Sequence, residues 1–170
     1  LIRAAQLEDM EQILRVYDTA RRYMKDSGNP TQWGDDYPAR TLLENDIRKG
    51  QLYVDEEGGA VHGVFAFILG KDPTYAVIEQ GAWKNDAPYG TIHRVAGDGA
   101  VKGVFARCLA FCLCLSGEIR IDTHHDNHTM QHLIEKNGFA RCGIIHVEDG
   151  SPRIAYQYVG DIRGKSMDNS

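Results

Sequence analysis

Residues 91–116 read TIHRVAGDGAVKGVFARCLAFCLCLS, and the rest of the chain is organised around them. Thr91, Ile92 and Val95 are β-branched, which predicts a short strand over 91–95. Gly97 and Gly99 then break any regular pattern. From Val101 the apolar residues fall at 101, 104, 105, 108, 109 and 112, a helical period. Lys102 and Arg107 are the charged residues of that helix, so it should be largely buried. A tight turn feeding a helix gathers unpaired backbone N–H groups and the positive end of the helix dipole. That combination binds anions, most often phosphate.

The chain has 170 residues, enough for one domain with a sizeable core. A charged fraction of 25% and a hydrophobic fraction of 42% fit a soluble globular protein. The net charge of −5 gives no electrostatic case for nucleic acid. No apolar run reaches membrane-spanning length and no signal peptide is recognisable, so the expected location is cytoplasmic, with no membrane partner. Cys108, Cys112 and Cys114 crowd one apolar helix and Cys142 stands apart. They read as reduced core cysteines. Zinc on Cys108 and Cys112 lacks a second ligand pair at finger spacing, and no metal is expected.

Upstream, Leu1–Ala5 reads as a strand and residues 8–24 as an amphipathic helix. A loop carrying Trp33 and Tyr37 leads to a second helix over Ala39–Lys49, stopped by Gly50. Gln51–Asp55 and Ala60–Leu69 read as an antiparallel hairpin. A turn at 70–75 precedes a short strand over Tyr75–Glu79 and a loop with Trp83 and Tyr89. Downstream, Glu118–Asp122 is a strand. Asn127 is a helix N-cap, with Met130, Leu133 and Ile134 inward, and Asn137-Gly138 closes that helix. Phe139–His146 and Arg153–Val159 form a closing hairpin. Residues 1–159 are expected to be a single domain and 160–170 a flexible tail. The order predicts an α+β domain with a mixed, mostly antiparallel sheet of six or seven strands flanked by helices.

This arrangement resembles the GNAT superfamily of N-acetyltransferases, over nearly the whole chain. Two signatures carry the resemblance. One is the pyrophosphate loop, which stands here as Ala100-Val101-Lys102-Gly103-Val104-Phe105. Gly103 matches, whereas Ala100 and Phe105 replace the usual Gln/Arg and small residue. The other, more specific, is Asn127 opening a short helix that ends in Glu135-Lys136-Asn137-Gly138-Phe139. The resemblance implies the acyl-CoA N-acyltransferase fold and transfer of acetyl from acetyl-CoA to an amine, without a metal. It places the cofactor against His93–Val95, including Arg94 and Val95, against Lys102, Gly103, Val104, Phe105 and Ala106, and against Asn127. Members are often dimers, so a homodimer is the implied assembly. Many carry a general-acid Tyr where Ile134 stands here. Water, Tyr156 or Tyr158 are the alternatives for that role.

An acceptor amine is protonated at neutral pH and must lose a proton before attack. The candidate bases are His93, Glu79 and His124, with His93 first because its strand should flank the thioester. Trp33, Tyr37, Tyr75 and Trp83 are candidate walls of the acceptor pocket. Three rival readings stand beside this one. Gly97, Gly99 and Gly103, followed by Asp122 at the end of the next strand, approximate a nicotinamide-dinucleotide fingerprint. His124, His125, His128 and His132 crowd one turn and helix, with His128 and His132 at a metal-ligand spacing. Finally, Ala100, Phe105 and Ile134 would suit a protein that binds acetyl-CoA without catalysing transfer.

Overall fold

The structure is a computed structural model and describes residues 1–160. The expected tail, Gly160 excepted, lies outside the described residues. The strands are β1 (Ile2–Ala4), β2 (Leu52–Glu57), β3 (Ala60–Leu69), β4 (Gly90–Gly97), β5 (Ile119–Thr123), β6 (Phe139–His146) and β7 (Pro152–Tyr158). The helices are α1 (Met10–Asp26), α2 (Arg40–Arg48), α3 (Val104–Leu113) and α4 (His128–Lys136). They build one mixed sheet of order β1-β2-β3-β4-β5-β7-β6. Its neighbours pair antiparallel except β4 and β5. The expected α+β class is what forms. The dinucleotide reading fails, because it needs repeated parallel crossovers and the described residues contain one parallel pair.

Alternation along the strands decides which face each helix covers. Val64 and Ala66 of β3 face the cluster under α1 and α2, together with Ile13, Tyr17 and Leu43. Phe65 and Phe67, between them in sequence, face α3 and α4 with Cys108, Cys112 and Ile134. Beyond β4, the α1/α2 side of the sheet is covered by the 70–89 segment, through Tyr75, Tyr89 and Trp83. Cys108, Cys112 and Cys142 are buried thiols as expected. Cys114 is exposed, because it stands just past the last turn of α3.

Three local expectations change. The helix after the glycine turn starts at Val104 rather than Val101. Gly103 precedes it at φ 80°, a left-handed conformation that interrupts helical winding. The strand expected over Tyr75–Glu79 is a single 3-10 turn, Pro73–Tyr75, followed by one isolated bridge between Glu79 and Ile144. Pro73 presets the turn, and Asp72 caps it by accepting from the Thr74 N–H at 2.9 Å. The first helix begins at Met10, preceded by its own 3-10 turn at Leu7–Asp9.

Two features of the sheet prepare a site. The β4–β5 ladder runs over just two register pairs, Gly90↔Ile119 and Thr91↔Arg120, and then the strands part. In the same region β4 is bulged against β3. Arg94 and Val95 lie between the pairs Ala66↔His93 and Val64↔Ala96, opposite Phe65 alone. On the other side of the sheet, α3 approaches β3 closely at Gly63. A Cβ there would stand 2.6 Å from Val104 Cγ1, so the glycine lets the first turn of α3 lie against the strand.

Candidate active site

The bulge is held by α1 and α2. Arg94 sits at φ 53°, a conformation costing an L-residue about 1–2 kcal/mol. The Tyr17 hydroxyl donates to the Arg94 carbonyl at 2.7 Å. The Arg94 guanidinium grips the buried Asp46 carboxylate at 2.8 and 3.1 Å and reaches the Tyr37 hydroxyl at 3.4 Å. Breaking such a pair would leave one buried charge uncompensated, so these bonds keep β4 bent where it leaves β5.

Two cavities open at this bend. One, of about 490 Å³, lies between α1, the end of β4, the start of α3 and α4. Its walls include Val95, Gly103, Val104, Phe105 and Ala106. Glycine offers no capping side chain, and the first turn of α3 has no side-chain cap. The unpartnered N–H groups of that turn are therefore available to an anion. Arg107 braces the turn, donating to the Lys102 carbonyl and to Asp55 Oδ2, both at 2.8 Å. Lys102 is exposed and its side chain is not part of the wall; the lysine on the cavity is Lys136 of α4. Phe105 turns inward against Phe139, with ring centroids 6.2 Å apart. Its bulk is absorbed by the core, so replacing the usual small residue does not close the cradle.

The other cavity, of about 960 Å³, lies on the α1/α2 side of the sheet. Trp33, Tyr37, His93 and Arg94 line it, together with Asp72, Asp122 and Arg153. Arg94 belongs to this cavity and not to the first, because its side chain is drawn to Asp46. The cavities share Met24, Val95, Asn127 and Met130 as common walls. They meet where β4 and β5 part.

Asn127 stands at that junction. Its Oδ1 accepts from the Met130 N–H at 3.0 Å, which is the helix cap, and its Nδ2 donates to Gln32 Oε1 at 3.0 Å. It thus ties α4 to the α1–α2 loop. Asn127→Ala is expected to cost about 1–2 kcal/mol, the cap supplying most of it. Thermal unfolding should show a midpoint lower by about 2–8 °C.

His93 leads the candidate bases for a geometric reason. Its Nε2 lies 2.9 Å from Asp72 Oδ2. Burial pushes the Asp72 carboxyl up, but hydrogen bonds from His93 and Thr74 outweigh it and hold the group at about 2. Asp72 is therefore a carboxylate, Nε2 carries the proton toward it, and Nδ1 is left to take one. Because this pKa is depressed on folding, the pair's stabilisation is present above the ordinary value of 3.8 and is lost as pH falls through about 2. Asp122 lies one strand away, its Oδ1 accepting from the Tyr75 hydroxyl at 2.5 Å. Burial raises the Asp122 carboxyl, and the hydrogen bond from the Tyr75 hydroxyl opposes the rise.

The remaining sequence candidates fall elsewhere. Glu79 is exposed and joins β6 through its backbone. His124 is buried outside both walls. Its Nδ1 accepts from the Asp126 N–H at 3.0 Å, and burial, then the charge of Arg153, lowers its pKa. Tyr75 is buried behind Asp122 rather than on the wall. Trp83 stacks over the Arg120 guanidinium and donates to the Tyr75 carbonyl, so both aromatics support the site from behind. Ile134 is wholly buried. The Tyr156 hydroxyl is engaged by Glu135 at 3.2 Å and, like Tyr158, lies off both cavities. Among the described residues His124, His125 and Asp126 bring ligand-type atoms within 4.8 Å of one another, without His128 or His132. Asp72, Asp122, Arg153, Gln32 and Lys136 were not among the residues singled out as site candidates. Two carried a signal: Asp122 as an acid ending a strand, and Lys136 as part of the helix-end signature.

Comparison with known proteins accords with this geometry. No protein-family model and no curated protein matches the chain. Among solved structures, a GNAT-family acetyltransferase from Streptococcus agalactiae shares 31% identity at a TM-score of 0.77, covering 95% of each chain. A Staphylococcus aureus protein described as an acetyltransferase shares 25% identity at a TM-score of 0.68, covering 92% of this chain and 97% of its own. A GNAT-family acetyltransferase from Listeria monocytogenes, at 22% identity and a TM-score of 0.66, covers 92% of each chain and shares the fold. With near-complete coverage at 31% identity, and with the same sheet and helix arrangement, the chain belongs to the GNAT family of acetyltransferases.

Proposed function

We propose that the chain transfers acetyl from acetyl-CoA to a primary amine by direct attack on the thioester. The observation that carries this reading is the meeting of two cavities at Val95, Asn127 and Met130, one with an anion cradle and one with a paired histidine. The cradle fits the pyrophosphate of CoA: open N–H groups at Val104–Ala106, no side chain at Gly103, and Lys136 on the wall. The cofactor, when bound, supplies an activated acyl group. The chain's own residues do the rest. Val104–Ala106 hold the phosphates, Val95 and Asn127 border the acyl end, and His93 takes the amine's proton with Asp72 fixing its ring.

The absent tyrosine at Ile134 does not forbid transfer. A thiol of pKa near 8.5 leaves as thiolate at neutral pH at a cost of about 2 kcal/mol, and water completes the protonation. The test is free-thiol release from acetyl-CoA across a panel of amines. Turnover on at least one amine class is expected. CoA binding without turnover on any amine would overturn the reading in favour of a sensor that binds acetyl-CoA and does not catalyse. The same reading carries a homodimer and a cytoplasmic location as proposals. No described helix is long and apolar enough to cross a membrane.

A further inference from the structure

The acceptor cavity holds one charge that the preceding reading leaves unused. Arg153, at the start of β7, lines the cavity and is only 9% exposed. Its recorded hydrogen bond runs from Nη1 to the Pro152 carbonyl at 2.9 Å. Among the described residues no carboxylate comes within ion-pair distance of it. Asp122 and Asp149 feel its charge without reaching it. The other charges of the cavity interior are partnered: Asp46 by Arg94, Asp72 by His93, and Asp122 by the Tyr75 hydroxyl. Burying a cation with one neutral acceptor is costly unless an anion completes the site.

Strand register places that cation next to the chemistry. Asp122 pairs with Ala155 and Thr123 with Ile154 across β5 and β7, so Arg153 follows directly at the open end of the ladder. Arg153 and Ala155 share a strand face, since side chains alternate. His93 and Asp122 stand two residues beyond the last β4–β5 register pair, Thr91↔Arg120, on neighbouring strands. The cavity thus offers an acidic and basic pair near the thioester end and a free guanidinium one strand further on. A guanidinium recognises a carboxylate through a planar fork of donors.

We infer that the acceptor is a small amino acid, its carboxylate held by Arg153 and its amine directed at His93 and Asp122. This rests on the acetyl-transfer reading above and narrows it. A peptide N-terminus would set a neutral amide against Arg153, leaving the buried charge uncompensated. The step forms one N–C bond and breaks one C–S bond. The nitrogen's proton passes to His93, and the departing sulfur is protonated from solvent. The products are an N-acetyl amino acid and free CoA.

The experiment compares, on the full chain, thiol release with the standard protein amino acids and with the carboxamide and decarboxylated amine of each. For the preferred amino acid, kcat/KM should exceed that of its carboxamide by roughly 30- to 100-fold. Arg153→Gln should bring that ratio to within about threefold, and Arg153→Lys should recover part of it. Thermal unfolding checks that each variant folds. If Arg153→Gln does not fold, the wild-type panel and Arg153→Lys decide. Carboxamides or simple amines turned over as well as the acids would overturn this inference and leave acetyl transfer standing. No thiol release with any amine would overturn both.

Discussion

His93→Gln is expected to lower kcat by about 10²- to 10⁴-fold, the span that general-base catalysis supplies. Acetyl-CoA affinity should change by less than about threefold, since His93 lines the second cavity and not the first. Glutamine is chosen because its amide N–H₂ can still donate to Asp72, so the local fold survives while the basic nitrogen is lost. Asp72→Asn should have a smaller effect, about tenfold. It removes the carboxylate that fixes the ring at 2.9 Å but leaves a group able to hold it. The two variants separate base from positioner: both lower kcat, but only His93→Gln should lose the whole share that a general base supplies. Steady-state kinetics with varied acceptor is the measurement. An unchanged kcat in His93→Gln would move the base elsewhere on the cavity wall, with Asp122 next in reach of a bound amine.

The fold was legible where local chemistry and global pairing agree. The β2–β3 hairpin, the Asn127 cap, the Asn137-Gly138 stop and the closing hairpin follow from short-range rules, and the structure places them where those rules do. The start of α3 was not, because a left-handed Gly103 consumes residues whose apolar spacing still looks helical. The site was legible along the chain and illegible across it. His93 was singled out from its place on a strand. Its partner Asp72 is a turn residue twenty-one positions earlier, brought alongside by the 3-10 turn that Pro73 sets. Arg94 misled for a related reason. Sequence places it beside Val95 on the cofactor strand, but the bulge rotates it toward Asp46, and no period of two predicts a bulge. Tyr75 and Trp83 are expected as pocket walls, but Trp83 stacks over Arg120 and the Tyr75 hydroxyl donates to Asp122, which makes them the backing of the site. Arg153 gave no signal, since a single arginine in a strand is ordinary until burial leaves it unpaired.

Gly103→Glu is expected to weaken acetyl-CoA binding by more than about 100-fold, equivalent to about 2.8 kcal/mol. Two effects contribute and a second variant separates them. At φ 80° any L-residue is strained, and a Cβ would stand 3.2 Å from Arg107 Nη1. Gly103→Ala carries that strain alone, about 1–2 kcal/mol, and should leave affinity within about tenfold of the parent. The glutamate adds a carboxylate at the mouth of a helix N-terminus whose free N–H groups are what an incoming phosphate needs. Those groups would bind the protein's own carboxylate first, so the variant is inhibited by its own side chain as well as by repulsion. Arg107 cannot easily defuse the new charge, because it is already committed to Asp55 and the Lys102 carbonyl. Calorimetric titration with acetyl-CoA reads the difference. Equal losses in the alanine and glutamate variants would mean that the phosphates lie away from α3, and the cradle would then have to be sought around Lys136 alone.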